Sequence, residues 1–255
     1  MPFTDATFMK NNLPPYKHVI FDADDTLLRY RDDERGAFFR LFSSLGVAAD
    51  DELLSFSCDA SERIWTETGL YDVHSPHVQK RYHFLYREHV TRVFEEIFAF
   101  LCARGISFTH VSSRRARDLF LTELETGGNY VDGAQETLAV LKSRGYILSV
   151  ATNGLERIQR GRTKPLSPYF DHLFVSESLG AIKPAQAFFS RMLRELNAKK
   201  EECLFVGDSL SSDIAGAKRA GIACCYFSPR GEPPPAGAPA PDFTVRRLTE
   251  LISFL

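Results

Sequence analysis

Three aspartates crowd into four positions at the end of an apolar run, in "VIFDADDTLL" (19–28), where Asp22, Asp24 and Asp25 precede Thr26. Buried apolar strands do not normally end in clustered negative charge. Three more polar groups follow at the ends of later apolar runs: Thr152 and Asn153 after "ILSVAT", Lys183 in "AIKP", and Asp208, Ser209 and Asp213 in "GDSLSSD". Carboxylates crowded in a partly dry cleft repel, and some take up protons unless a cation joins them. A hard oxygen cage with few protein ligands suits magnesium, which keeps several waters and often binds a substrate phosphate. A phosphate is also the natural partner for Lys183 and Thr152. An aspartate can attack phosphorus to give an aspartyl-phosphate. A second acid two residues on shares one side of an extended chain, and can protonate a leaving oxygen and then activate water. The metal and the lysine would neutralise charge on the transferring phosphoryl group.

These residues converge only if the runs that carry them are neighbouring strands. "HVIFDA" (18–23), "ILSVAT" (147–152), "HLFVSES" (172–178), "CLFVGDS" (203–209) and "CCYFS" (224–228) are nearly continuous apolar, β-rich runs, as expected of strands covered on both faces. Amphipathic stretches at 134–145, 185–197 and 213–221 lie between them, two of them ending in Gly145 and Gly221. Alternating β and α predicts an α/β fold: a Rossmann-like parallel sheet with helices on both faces and right-handed crossovers. Ligands bind such sheets beyond the carboxyl ends of the strands, where the polar residues fall.

The alternation is interrupted between Arg31 and Thr126. This segment carries helical spacing throughout and is too long for a loop, so it reads as an all-helical insertion after the first strand. The expected organisation is a core of 1–31 and 127–255 with a helical cap domain of 32–126. The aromatic residues Trp65, Tyr82, Phe84, Tyr86, Phe94 and Phe98 are expected to be helical core. Residues 1–17 read as a loosely ordered lead-in without the apolar centre of a signal peptide. "SPRGEPPPAGAPAPD" (228–242) is expected to be an exposed loop, followed by a short strand "DFTV" and a last helix "RRLTELISFL".

Composition excludes some partners. With 31 Lys and Arg against 33 Asp and Glu, the chain has no net basic character for a nucleic-acid polymer or a polybasic membrane patch. No apolar run is long enough to span a bilayer. Five cysteines without a CxxC are expected to be buried, reduced thiols in a cytoplasmic protein. His74, His77, His83 and His89 lack the partners of a metal set. Asp25 is expected to be solvated or to cap a helix, and Arg114, Arg115 and Arg117 to form an exposed helix face.

"DADDT", "ATNG", "IKP" and "GDSLSSD" resemble, in order, the four motifs of the haloacid dehalogenase superfamily, across roughly 17–31 and 127–255. The resemblance implies a magnesium-dependent phosphatase. Asp22 would be nucleophile and metal ligand. Asp24 would be general acid and base, with its main-chain carbonyl on the metal. Thr152 and the backbone of Asn153 would hold the phosphoryl group, with Lys183 neutralising charge between it and the nucleophile. Asp208 would ligate magnesium, and Asp213, with Ser209, would support that shell. Members that cleave carbon–halogen bonds lack an aspartate two residues after the nucleophile, so Asp24 favours phosphoryl transfer. The helical insertion sits where members with a type I cap place their substrate-covering domain. The phrases "FDADDTLL", "ATNGLERIQRGRT" and "PYFDHLFVSESLGAIKP" look most similar to the pyrimidine 5′-nucleotidase group, which implies a nucleoside monophosphate as substrate. Other small-metabolite phosphatases and phosphomutases share the core, and a phosphate-binding regulatory protein is the non-enzymatic alternative.

Overall fold

The computed structural model describes residues 16–255, so the lead-in reading falls almost wholly outside the described residues. Six strands form one parallel sheet in the order β3-β2-β1-β4-β5-β6. They are β1 (His18–Phe21), β2 (Ile147–Thr152), β3 (His172–Val175), β4 (Cys203–Gly207), β5 (Ala223–Phe227) and β6 (Phe243–Val245). Every β1 and β4 residue is buried, as expected for strands covered on both faces. The order reverses at β1, which lies between β2 and β4, and such a switch point opens a crevice at the strands' carboxyl ends. Register then places the chemistry. Phe21 pairs with Val150 on one side and Val206 on the other, so Asp22 stands beside Ala151 and Gly207 just past the last β1 pair.

The chain divides into two compact units. The sheet unit holds the described residues through Leu27, with Tyr130–Asn153 and Pro165–Leu255. Its helices include α5 (Ala134–Ser143), α7 (Ser176–Leu179), α8 (Gln186–Leu196) and α9 (Ala215–Ala220). Asn197 and Gly221, both left-handed, stop α8 and α9. One apolar cluster joins Phe188, Phe189 and Met192 of α8 to Ile20, Phe205 and Cys224 of the strands. Truncating a phenylalanine buried this fully costs about 3–5 kcal/mol. The expected last helix is instead a 3₁₀ segment, Leu248–Ser253, because only Leu248 and Leu251 find burial there.

The helical unit holds Leu28–Asn129 and also Gly154–Lys164. It contains α1 (Tyr30–Ser44), α2 (Asp51–Glu67), α3 (Pro76–Ala103) and α4 (Ser113–Glu125), together with α6 (Glu156–Thr163). Sequence order put 154–164 with the sheet. It groups with the helices because Leu155 and Ile158 join the apolar cluster of Phe38, Phe42, Phe94, Ile97 and Phe120. Asp50 and Ser112 cap α2 and α4, and Pro76 opens α3. Within α3, Phe94 and Phe98 meet this cluster as expected, but Phe84 is 52% exposed and lies under Arg81. Ten residues apart, Phe84 and Phe94 lie on faces about 80° apart on the helix. Among the described residues, no helix is long and apolar enough to cross a membrane.

Candidate active site

Asp22 leaves β1 with its backbone N–H still donating to Val206 O, at 2.8 Å. Its side chain is buried and meets the Lys183 ammonium, with Nζ donating to Oδ1 at 2.6 Å. The same Nζ lies 2.7 Å from Asp213 Oδ1 and donates to Ala151 O at 2.9 Å. All three ammonium hydrogens are therefore committed, and Lys183 is held at 1% exposure. Asn153 fixes the lysine from behind: the Lys183 N–H donates to Asn153 Oδ1 at 2.7 Å, and Asn153 Nδ2 donates back to Lys183 O at 3.1 Å. Thr152 is buried at the β2 terminus, its hydroxyl donating to Asn153 O at 3.3 Å.

On the other side of β1, Asp208 follows β4 by one residue and accepts from the Thr26 hydroxyl at 3.1 Å. Asp213 is fully buried; beyond Lys183 it accepts from the Ser209 N–H at 3.1 Å and the Ser212 hydroxyl at 3.2 Å. Ser209 also caps the following turn through Ser212 N. Gly207 lets this happen, because a Cβ there would collide with the Asp213 carboxylate. Asp24 is half-buried and near enough to raise the proton affinity of Asp22, while Asp25 is exposed in a left-handed turn at φ 57°. Left-handed backbone is tolerated by Asp and Asn more than by most residues.

The electrostatics are unbalanced. Burial pushes Asp22 up to about 8, with Asp213 and Asp24 adding to the rise and Lys183 opposing it. Asp208 is also raised well above the ordinary carboxylate range, by burial and then by Asp213, Asp22 and Asp25. Lys183 is raised too: burial works against its charge, but Asp213 and Asp22 outweigh it. One lysine thus serves a nest of four aspartates and leaves an excess of negative charge. Oxygens of Asp22, Asp208 and Asp213 lie within 4.8 Å of one another. An all-oxygen donor set with surplus negative charge fits a hard divalent cation such as magnesium. Asp213 is already bonded through both oxygens, which leaves Asp22 and Asp208 as the carboxylates best placed to hold one.

The residues singled out at successive strand ends are thus gathered in one unit. Two contributors carry no role in the sequence reading. The side-chain role of Thr26 was visible only as the last letter of "DADDT", and Gly207 only as the residue before Asp208. None of His74, His77, His83 and His89 in the helical unit belongs to the acidic set. Arg114 and Arg115 are exposed, as expected, but Arg117 is half-buried and pairs with Asp118 and Thr91. Four cysteines are buried, and burial pushes Cys58 and Cys203 up to about 12, which leaves them inert. Cys102 is exposed, where all five were expected inside.

Comparison with known proteins agrees with this geometry. The family profile of haloacid dehalogenase-like hydrolases matches residues 16–221. This chain belongs to that family and is a hydrolase. It is 30% identical over 222 residues to the pyrimidine 5′-nucleotidase PynA of Streptococcus pneumoniae, covering 84% of each chain. It is 31% identical over 149 residues to the pyrimidine 5′-nucleotidase YjjG of Escherichia coli, covering 57% of this chain and 65% of that one. A crystal structure of the HAD-hydrolase YfnB from Bacillus subtilis, bound to magnesium, superposes with a TM-score of 0.74 at 25% identity, over 92% of this chain and 96% of YfnB.

Proposed function

We propose that this chain is a magnesium-dependent phosphomonoesterase that hydrolyses nucleoside monophosphates, pyrimidine ones preferentially, through an aspartyl-phosphate on Asp22. The observation that carries the reading is the Asp22–Lys183 pair set in surplus carboxylate, with a second acid, Asp24, two residues along. Lys183 opposes the protonation that burial favours at Asp22, a bound cation would oppose it further, and the lysine fixes the Asp22 oxygen against rotation. The Asp22 carboxylate attacks phosphorus, the P–O ester bond breaks, and Asp24 gives its proton to the leaving alkoxide. Asp24 then takes a proton from water, which cleaves the aspartyl-phosphate and frees inorganic phosphate. Thr152 and the Asn153 backbone hold the phosphoryl oxygens. Asp22, Asp208 and the Asp24 carbonyl would hold magnesium, with Asp213 and Ser209 ordering the turn beside them. Magnesium would supply charge neutralisation on the phosphoryl oxygens. The helical unit serves as the substrate-selecting cap.

The nucleotide part of the reading draws on PynA and YjjG, whose names specify pyrimidine 5′-nucleotides. Phosphate release from UMP, dUMP, dTMP, AMP, phosphoglycolate and sugar phosphates, with magnesium and with chelator, tests it. Expected is chelator-sensitive release that favours the pyrimidine monophosphates. Preference for an acid or sugar phosphate would replace the substrate, and release that survives chelation would remove the metal.

A further inference from the structure

Lys183 stands in the turn between α7 and α8, outside any helix or strand. The short α7 stops at Gly180 in a left-handed conformation, and α8 begins only at Gln186. A lysine has a long flexible stem, and its ammonium must be held to within about 0.5 Å to serve a nucleophile and a transferring phosphoryl group. Fixing the ammonium therefore requires fixing the backbone that carries it.

Asn153 grips that backbone with both ends of its amide. Its Oδ1 accepts from the Lys183 N–H at 2.7 Å, and its Nδ2 donates to the Lys183 carbonyl at 3.1 Å. This is the two-way exchange by which one strand residue holds another. An asparagine just past a strand ordinarily serves its own turn. This one reaches a residue 30 positions along the chain. The far end of the lysine is held by the same stretch, since Nζ donates to Ala151 O at 2.9 Å. Between the two anchors lies Thr152, the last residue of β2, whose hydroxyl donates to Asn153 O at 3.3 Å. Three successive residues of the sheet unit thus hold the ammonium, present a hydroxyl and hold the lysine backbone.

Packing alone does not call for this grip. Phe188, Phe189 and Met192 anchor α8 in the apolar cluster, and the turn before it closes through the Ala185 N–H to Ile182 O at 2.9 Å. What the amide adds is the place of Lys183 relative to β2. We propose that the Asn153 side chain is a positioning residue for the hydrolysis and acts through Lys183. It sets the lysine so that one ammonium meets Asp22 and Asp213 together, beside the phosphoryl group held by Thr152 and the Asn153 backbone. The inference rests on the phosphoryl-transfer part of the reading above and not on its nucleotide part.

Asn153→Leu keeps the shape of the side chain without either bond, and Asn153→Ala removes both by truncation. Phosphate release from p-nitrophenyl phosphate and from UMP, with magnesium, is measured for each, alone and combined with Lys183→Arg. Arginine keeps the charge, but its planar fork cannot remake the contacts of a compact ammonium. In the otherwise unaltered chain each Asn153 substitution should lower kcat by roughly ten- to a hundredfold with KM within about twofold, because the lysine shifts while the substrate keeps its own contacts. In the Lys183→Arg chain the same substitution should cost less than about threefold, since the position it secures has lost its use. Melting temperatures are read for every variant. A raised KM with kcat unchanged would show that the amide touches substrate, and a full loss repeated in the Lys183→Arg chain would show that it acts apart from the lysine. Either result overturns the proposal. So does an unchanged kcat, or a loss that only follows the fraction of protein unfolded at the assay temperature. An unaltered protein that releases no phosphate from either ester overturns the phosphatase reading itself, and this role with it.

Discussion

Each unit buries aspartate against a cation, and the two arrangements differ in their sums. In the helical unit, Asp33 is 1% exposed and fully matched. Its Oδ1 accepts from Gly128 N at 2.8 Å, Asn129 N at 2.9 Å and Asn129 Nδ2 at 2.8 Å. Its Oδ2 accepts from Arg162 Nε at 2.9 Å, and the guanidinium makes an ion pair with the same oxygen. One carboxylate meets one guanidinium, and two backbone N–H groups and the Asn129 amide fill what remains. Gly127 makes room, since a Cβ there would sit against the carboxyl group. In the sheet unit, Lys183 alone faces Asp22 and Asp213, with Asp208 and Asp24 beside them. A balanced buried pair reads as architecture. An unbalanced one destabilises the chain unless something else binds, and so marks a site.

Substitution should therefore act in opposite ways. Asp22→Asn removes a charge from the crowded set, keeps the shape, and leaves Lys183 paired with Asp213. Phosphate release should fall by about 10³-fold or more, because the bond-forming oxygen is lost. The melting temperature should hold or rise. A variant that melts much earlier would mean that Asp22 is a structural partner of Lys183, and the contrast would fail. Arg162→Met should do the reverse. It strands the buried Asp33 charge, at a cost of about 3–5 kcal/mol. Urea unfolding would register this as an early transition. If stability is unchanged, Asp33 is not held by that pair.

The two arrangements were unequally legible in sequence. The strand-end residues of the sheet unit could be read because a parallel sheet exposes its chemistry at one edge, so four short phrases in order suffice. Asp213 and Lys183 were found, but not that they bond each other, because that contact depends on the turn after Gly207. The Asp33–Arg162 pair was invisible: its partners are 129 residues apart, and each sits among surface-like charges, "YRDDER" and "QRGRT". The grouping of 154–164 with the helices was hidden for a related reason. Leu155 and Ile158 have helical spacing that fits either a sheet face or a bundle, and only packing chooses. The aromatic residues of the insertion show the same limit. Phe94 and Phe98 meet the apolar cluster and Tyr86 packs against it too, whereas Trp65, of similar character in sequence, stands edge-on to Tyr82, Tyr86 and His89.

His89 sharpens the comparison with a third way of tolerating a buried polar group, which is to leave it neutral. Burial, then the nearby positive charge of Arg92, holds His89 down at about 4. The unfolded chain would bind that proton near the ordinary value of about 6.5. Between these values the unfolded state carries more protons than the folded one, so stability rises with pH there. The helical unit should thus keep its full stability above about pH 6.5 and lose it progressively as the pH falls to about 4. The loss should approach 3 kcal/mol, a little under the effect of breaking the Asp33 pair. The neighbours that face the ring can modify this: Glu34 through Ser61 would favour the protonated form, and Arg92 opposes it. Urea unfolding at pH 7.5 and pH 5, for the unaltered chain and for His89→Phe, isolates the contribution. The substitution should flatten that part of the pH dependence while the part due to carboxylates elsewhere remains. An identical slope in the two proteins would show that His89 binds its proton equally well folded and unfolded, and the burial argument would fail. A contribution of opposite sign, stability falling as the pH rises, would make Glu34 its ion-pair partner, and the helical unit would balance its buried charges here as it does at Asp33.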